Sequence, residues 1–220
     1  MRTHGIFVRL EGRRCVVIGS GGVAAGKVDA LLRAGAEVAV IAADPDGSLR
    51  TAIDAGGHEH QAREYRDGDL RGAFLAYACV RDRDVIARLR DEAERERVLL
   101  NVVDVPEACT FFAGARVERG ALQVLVGTGG MSPGGAASAR AAIEAALGGE
   151  YGPFIDILGA VRQTLAGRSE RVDVLRALCE SPLLELIREG DQEAVDALLA
   201  RTAGGGCTLA RLGIALEGAS

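Results

Sequence analysis

The residues with the clearest chemical meaning are the small ones at Gly19-Ser20-Gly21-Gly22-Val23-Ala24, directly after the apolar run Cys15–Ile18. Read as Gly19-x-Gly21-x-x-Ala24, they fit a phosphate-binding turn between a strand and a helix. The first glycine allows a sharp turn, and the second lets a pyrophosphate reach the backbone. The small third residue lets helix and strand pack closely, and the helix start offers free N–H groups and partial positive charge to phosphate oxygens. Two aspartates stand where apolar runs stop. Asp44 follows Val38–Ile41 and suits the hydroxyls of an adenosine ribose; it would disfavour a 2′-phosphate, which points to NAD over NADP. A turn or a helix cap accounts for Asp44 equally well. Asp104 follows Val98–Val103 and is placed to act as a general base, or simply to close a strand before Pro106. His58 and His60, two apart, would share one face of a strand and could bind a metal, although an exposed edge strand explains the pair more simply.

These residues need elements to hold them. The short lead-in Ile6–Leu10 turns at Glu11-Gly12 into the first strand. The spacing then predicts a helix to about Arg33 with Val23, Leu31 and Leu32 among its apolar positions, closed by Gly35. A second strand at Val38–Ile41, a short helix at Leu49–Ala55, a weak strand at His58–Gln61 and a strand at Phe74–Val80 follow. A helix from Asp82 to about Arg97, whose charges read as a solvated face, precedes the fifth strand at Val98–Val103. This rhythm predicts an α/β, Rossmann-like parallel sheet with ligands at the carboxyl ends of its strands. The glycine loop, Ala43-Asp44, Val80-Arg81 and Asp104 all fall at such ends. Beyond it, Ala115–Glu118 and Leu122–Val126 read as a hairpin, and Ser132-Pro133 is an N-cap and N1 pair opening a helix to Leu147. From Pro153 the pattern is helical until Gly204-Gly205-Gly206 breaks the tail. The expected organisation is a dinucleotide-binding domain at 1–113, a small dimerisation hairpin and helix at 114–150, and an all-helical domain at 151–220.

Composition narrows the field. The net charge of −5 gives no electrostatic case for nucleic acid or an anionic membrane. No run approaches the ~18 apolar residues of a membrane span, and Met1–Leu10 has no signal-peptide core. Aromatic residues make up 4% of the chain and Trp is absent, so Ala, Val and Leu must build the core. Cys15, Cys79, Cys109, Cys179 and Cys207 form no C-x-x-C pair and read as reduced thiols of a cytoplasmic protein.

Three stretches, in order, resemble the siroheme synthase N-terminal family, precorrin-2 dehydrogenase and sirohydrochlorin ferrochelatase. They are Gly19-Ser20-Gly21-Gly22-Val23-Ala24-x-x-Lys27, Asn101-Val102-Val103-Asp104 and Gly127-Thr128-Gly129-Gly130-Met131-Ser132-Pro133. The resemblance implies NAD-dependent oxidation of precorrin-2 to sirohydrochlorin, followed by insertion of Fe2+ as a substrate to give siroheme. It implies a homodimer built on the central segment, with Asp104 as the catalytic aspartate. Gly19, Ser20, Gly21, Gly22, Val23, Ala43, Asp44 and Val80 would line the cofactor, and Asn101, Thr128 and Ser132 the tetrapyrrole. In some family members a serine at the place of Thr128 is phosphorylated. A dehydrogenase without chelatase activity, and a dinucleotide- or tetrapyrrole-binding protein without turnover, are the competing readings.

Overall fold

The computed structural model of the chain describes residues 3–56 and 58–216. The chain divides into two units, Met1–Ala113 and Gly114–Ser220. The first contains β1 (Arg14–Gly19), α1 (Gly22–Arg33), β2 (Glu37–Ile41), α2 (Gly47–Asp54), β3 (Glu59–Gln61), β4 (Leu75–Cys79), α3 (Arg83–Glu96) and β5 (Leu99–Val102). A 3-10 turn at Pro106–Ala108 follows β5.

The strands form one sheet in the order β3-β2-β1-β4-β5, every adjacent pair parallel. Both faces are covered, so the central strands are continuous apolar runs and not alternating ones. Alternation decides only which core each side chain enters. Val16, Ile18, Ala39, Ile41, Ala76 and Leu100 pack with Ile86 and Leu89 of α3. Cys15, Val17, Val38, Val40 and Leu75 pack with Ala24, Val28 and Leu31 of α1 and Leu49 of α2. Strand β1 pairs Cys15 with Val38 of β2 on one side and with Leu75 of β4 on the other. The chain order therefore reverses beside β1, and a crevice opens at the carboxyl ends there.

Helix ends follow local chemistry. Gly35, at φ +74°, stands just past α1, and Ala36 N donates to Leu31 O to close that end. Asp46 accepts from Leu49 N at the start of α2, and Asp82 from Asp84 N and Val85 N at the start of α3. The link from β3 to β4 contains no helix. In its place Glu92 of α3, 1% exposed, accepts from Gly68 N (2.9 Å) and Leu70 N (3.0 Å) and from the Tyr65 hydroxyl. The solvated face expected for α3 is thus corrected at Glu92: the N–H groups of this link that meet α3, that of Leu70 buried and that of Gly68 partly so, need an acceptor, and Glu92 supplies it.

The second unit begins with the antiparallel hairpin β6 (Ala115–Arg119) and β7 (Leu122–Val126), turned at Gly120 with φ +55°. Then come α4 (Pro133–Ala146), α5 (Tyr151–Thr164), α6 (Arg171–Glu180), α7 (Leu183–Glu189), α8 (Gln192–Ala203) and α9 (Leu209–Leu212). Ile157, Val161, Leu178, Leu183, Val195 and Leu199 form the centre of the helical core. Helix α9 corrects the expected broken tail. The glycines at 204–206 do end α8, but Thr208 caps a further turn that buries Leu209. Among the described residues no helix is long and apolar enough to cross a membrane.

Candidate functional site

The glycine loop links β1 to α1, and its glycines serve different ends. Gly19 has φ +99°, and a Cβ there would overlap the Cys79 carbonyl of β4, so only glycine fits between the two strands. Gly21 has φ +97°, yet a Cβ there would enter open space. It therefore shapes the backbone and leaves the mouth of the loop clear. Unlike α2 and α3, α1 has no side-chain cap. Its first backbone bond runs from Ala25 N to Gly21 O (3.1 Å), leaving the N–H groups of Gly22, Val23 and Ala24 ahead of the helix without intrahelical acceptors. Ser20 and Gly22 are exposed and Ala24 is fully buried against the sheet. Val23 corrects the expected apolar face. The buried stripe is Ala24, Val28 and Leu31, and Val23 is 54% exposed beside the loop.

Two carboxyl ends carry the aspartates. Past β2, Ala43 and Asp44 are exposed. The cap of α2 is Asp46, whose carboxyl the Leu49 N–H and the Ser48 hydroxyl hold below its ordinary value, so Asp44 has no capping role. The Asp44 carboxylate is 99% exposed, and its neighbour is Arg50 of α2, whose Nη2 lies 3.9 Å from Oδ1. Past β5, Asp104 sits in a turn closed by Val105 N donating to Val102 O (3.2 Å), with φ +62°. A left-handed backbone is uncommon for a residue with a side chain, and aspartate tolerates it better than most. Among the described residues the Asp104 carboxylate makes no hydrogen bond, and the residue is exposed.

Between the glycine loop and Asp104 lies the end of β4. Val80 Cγ1 stands 3.2 Å from where a Gly19 Cβ would be. Burial pushes the Cys79 thiol up to about 11; the Lys27 ammonium acts against that rise and the Asp104 carboxylate adds to it. Lys27, the chain's only lysine, holds its Nζ 4.8 Å from the centre of the buried Tyr77 ring. Asn101 donates its Nδ2 to Phe111 O (3.0 Å), so its amide pins the segment after β5 back onto the sheet.

Thr128 and Ser132 lie in the second unit. Thr128 Oγ1 donates to Ser132 O and accepts from Ser132 N, both at 3.1 Å, closing the loop on itself. Ser132 Oγ accepts from Gly135 N (3.0 Å) as the N-cap of α4, with Pro133 at N1. His58 precedes β3, with Nδ1 3.2 Å from Gly56 O, and His60 holds Nε2 3.1 Å from Ala42 O. The two rings therefore make separate carbonyl contacts, on the edge strand of the sheet. Arg50 and Glu92 had no signal in the local pattern, since each acts on a segment reached only by folding.

Fold and loop together define a dinucleotide-binding α/β protein, with its glycine turn at the switch point of a parallel sheet. The model of the family described as "Putative NAD(P)-binding" matches residues 6–115, and the chain belongs to that family. It is 32% identical over 198 residues to a siroheme synthase of Methylobacillus flagellatus, covering 88% of this chain and 42% of that one. To a siroheme synthase of Chromobacterium violaceum it is 34% identical over 206 residues, covering 91% and 44%. The chain thus spans less than half the length of these curated relatives. A solved structure of SirC, a precorrin-2 dehydrogenase, superimposes with a TM-score of 0.72 at 18% identity, covering 83% of this chain and 92% of that one. The resemblance to the siroheme synthase N-terminal family and the Rossmann-like fold class are borne out.

Proposed function

We propose that this chain oxidises precorrin-2 to sirohydrochlorin with NAD+ as the acceptor, and that it then serves Fe2+ insertion into the product. The observation that carries the reading is the uncapped glycine-rich start of α1 at the switch point, with the unbonded Asp104 carboxylate on a strand end of the same sheet. The open space at Gly21 and the free N–H groups of Gly22, Val23 and Ala24 fit a pyrophosphate, and Asp44 fits ribose hydroxyls. Ser20, Ala43 and Val80 complete the proposed lining. Bound there, NAD+ supplies a hydride acceptor. NAD+ is favoured over NADP+ because Asp44 repels a 2′-phosphate.

The chain's own residues do the rest. Oxidation of the macrocycle removes a hydride and a proton, and Asp104 is proposed to take the proton. Its carboxylate is exposed, and the left-handed turn that carries it follows directly on the end of β5. Metal insertion also releases pyrrole protons, so the same carboxylate is assigned to the chelatase step. The tetrapyrrole is a polycarboxylate, and the Ser132-Pro133 start of α4 is proposed to meet its carboxylates. For Thr128 and Asn101 the support is weaker, because the Thr128 hydroxyl already donates to Ser132 O and the Asn101 amide to Phe111 O. The homodimer is proposed to form through β6, β7 and α4. Five free cysteines suit a reducing cytoplasm. Anaerobic incubation with precorrin-2 and NAD+, followed by Fe2+, tests the reading: NADH and sirohydrochlorin are expected first, then siroheme.

A further inference from the structure

Between β2 and α2 the chain makes a turn that presents two opposite charges. Asp46 is engaged in capping, accepting from Leu49 N (2.9 Å) and the Ser48 hydroxyl (2.8 Å). That leaves Asp44 as the free carboxylate. Arg50, one turn into α2, folds back over the turn: its Nη2 donates to Pro45 O at 3.2 Å and lies 3.9 Å from Asp44 Oδ1. Both side chains face solvent, Asp44 at 99% and Arg50 at 60% exposure, so the pair is weak and separable.

The end of the second strand is where dinucleotide folds tell NAD from NADP. An acidic residue there accepts from the ribose 2′-hydroxyl, and an arginine there holds a 2′-phosphate. This turn carries one of each. We propose that Arg50 is a specificity-determining residue of the dinucleotide site, giving it a working 2′-phosphate contact that Asp44 opposes. The proposal rests on the dinucleotide reading above. With NAD+ bound, Asp44 takes the ribose hydroxyls and Arg50 remains on Pro45. With NADP+ bound, the guanidinium donates to the phosphate, offsetting the repulsion from Asp44. The preference for NAD+ in the wild-type protein is then modest, no more than about tenfold, because exposed charge contacts of this kind are each worth less than that factor.

The test is to titrate the full chain with NAD+ and with NADP+, as wild type, Arg50→Ala, Arg50→Lys and Asp44→Asn. Arg50→Ala is expected to weaken NADP+ several-fold and to leave NAD+ within about twofold. Arg50→Lys is expected to restore part of the NADP+ affinity, and Asp44→Asn to strengthen NADP+ while weakening NAD+. Retained NAD+ binding in the Arg50 variants shows that they are folded. If Arg50→Ala leaves NADP+ unchanged, or weakens both cofactors equally, the role of Arg50 is overturned while the dinucleotide reading stands. A wild-type protein that binds neither cofactor overturns the dinucleotide reading itself.

Discussion

Gly19 and Gly21 both have positive φ in one loop, but a Cβ meets the neighbouring strand at the first and open space at the second. In Gly19→Ala the new methyl meets the Cys79 carbonyl on the neighbouring strand, and the φ of +99° is unfavourable as well. In Gly21→Ala only the backbone strain applies, about 1–2 kcal/mol. Thermal melts and cofactor titrations separate the two. Gly19→Ala is expected to lower Tm sharply; Gly21→Ala is expected to remain folded with a smaller loss and to bind dinucleotide poorly. Equal losses of Tm would refute the distinction. The loop and both strand-end aspartates were legible in the sequence because the reason for each lies within a few residues. Arg50 beside Asp44 was not: the stretch from Ala42 to Gly47 contains no arginine, and the cation arrives from inside α2. Val23 misled because an apolar residue at a helix start is compatible with more than one phase of the buried stripe.

Among the elements, the link between β3 and β4 shows how a segment without regular structure is held. Arg63 clasps Asp69 with two hydrogen bonds, 2.8 and 2.7 Å, and Arg66 N donates to the same carboxylate at 2.7 Å. Burial alone would push the Asp69 carboxyl up, but the Arg63 contacts and the Arg66 N–H outweigh it and hold the carboxyl below its usual range. The sign follows directly. A carboxyl whose pKa is lower folded than unfolded stabilises the fold above its unfolded value of about 3.9, and that contribution is lost as pH falls through the folded value. Asp69→Asn is expected to cost on the order of 1 kcal/mol at neutral pH and to make Tm less sensitive to acid below about pH 4. Melting curves across that range check it; an unchanged acid slope would remove Asp69 from the balance. The five strands and most helices were legible because buried parallel strands leave continuous apolar runs and the caps lie in the sequence. Helix α9 was not, because its evidence is the tertiary burial of Leu209 and not a periodic pattern. Nor was the buried role of Glu92, which looks like any other charge on α3.

On the scale of the whole molecule, α4 is a fourteen-residue helix with a single buried residue, Ala136. On the hairpin strands only Val117 is buried, while Leu125 is 43% exposed, and Met131 in the loop before α4 is 83% exposed. Apolar surface of this kind is stabilised by covering it, and a second copy of the same segment is the occupant proposed here. Sedimentation at micromolar concentration is expected to show a dimer, with Leu125→Asp shifting it toward monomer. A wild-type monomer would contradict the assignment of this segment to dimerisation.

The central claim is that Asp104 takes the proton when this chain oxidises precorrin-2 with NAD+, and the direct measurement is anaerobic NADH formation by the wild-type and Asp104→Asn proteins. Asparagine keeps the size of the side chain but takes no proton at neutral pH. The wild-type protein is expected to form NADH and sirohydrochlorin together, and the variant to do so about 10²-fold or more slowly with cofactor binding and Tm nearly unchanged. A folded Asp104→Asn protein that turns over at close to the wild-type rate, or a wild-type protein that forms no NADH from precorrin-2, would contradict it.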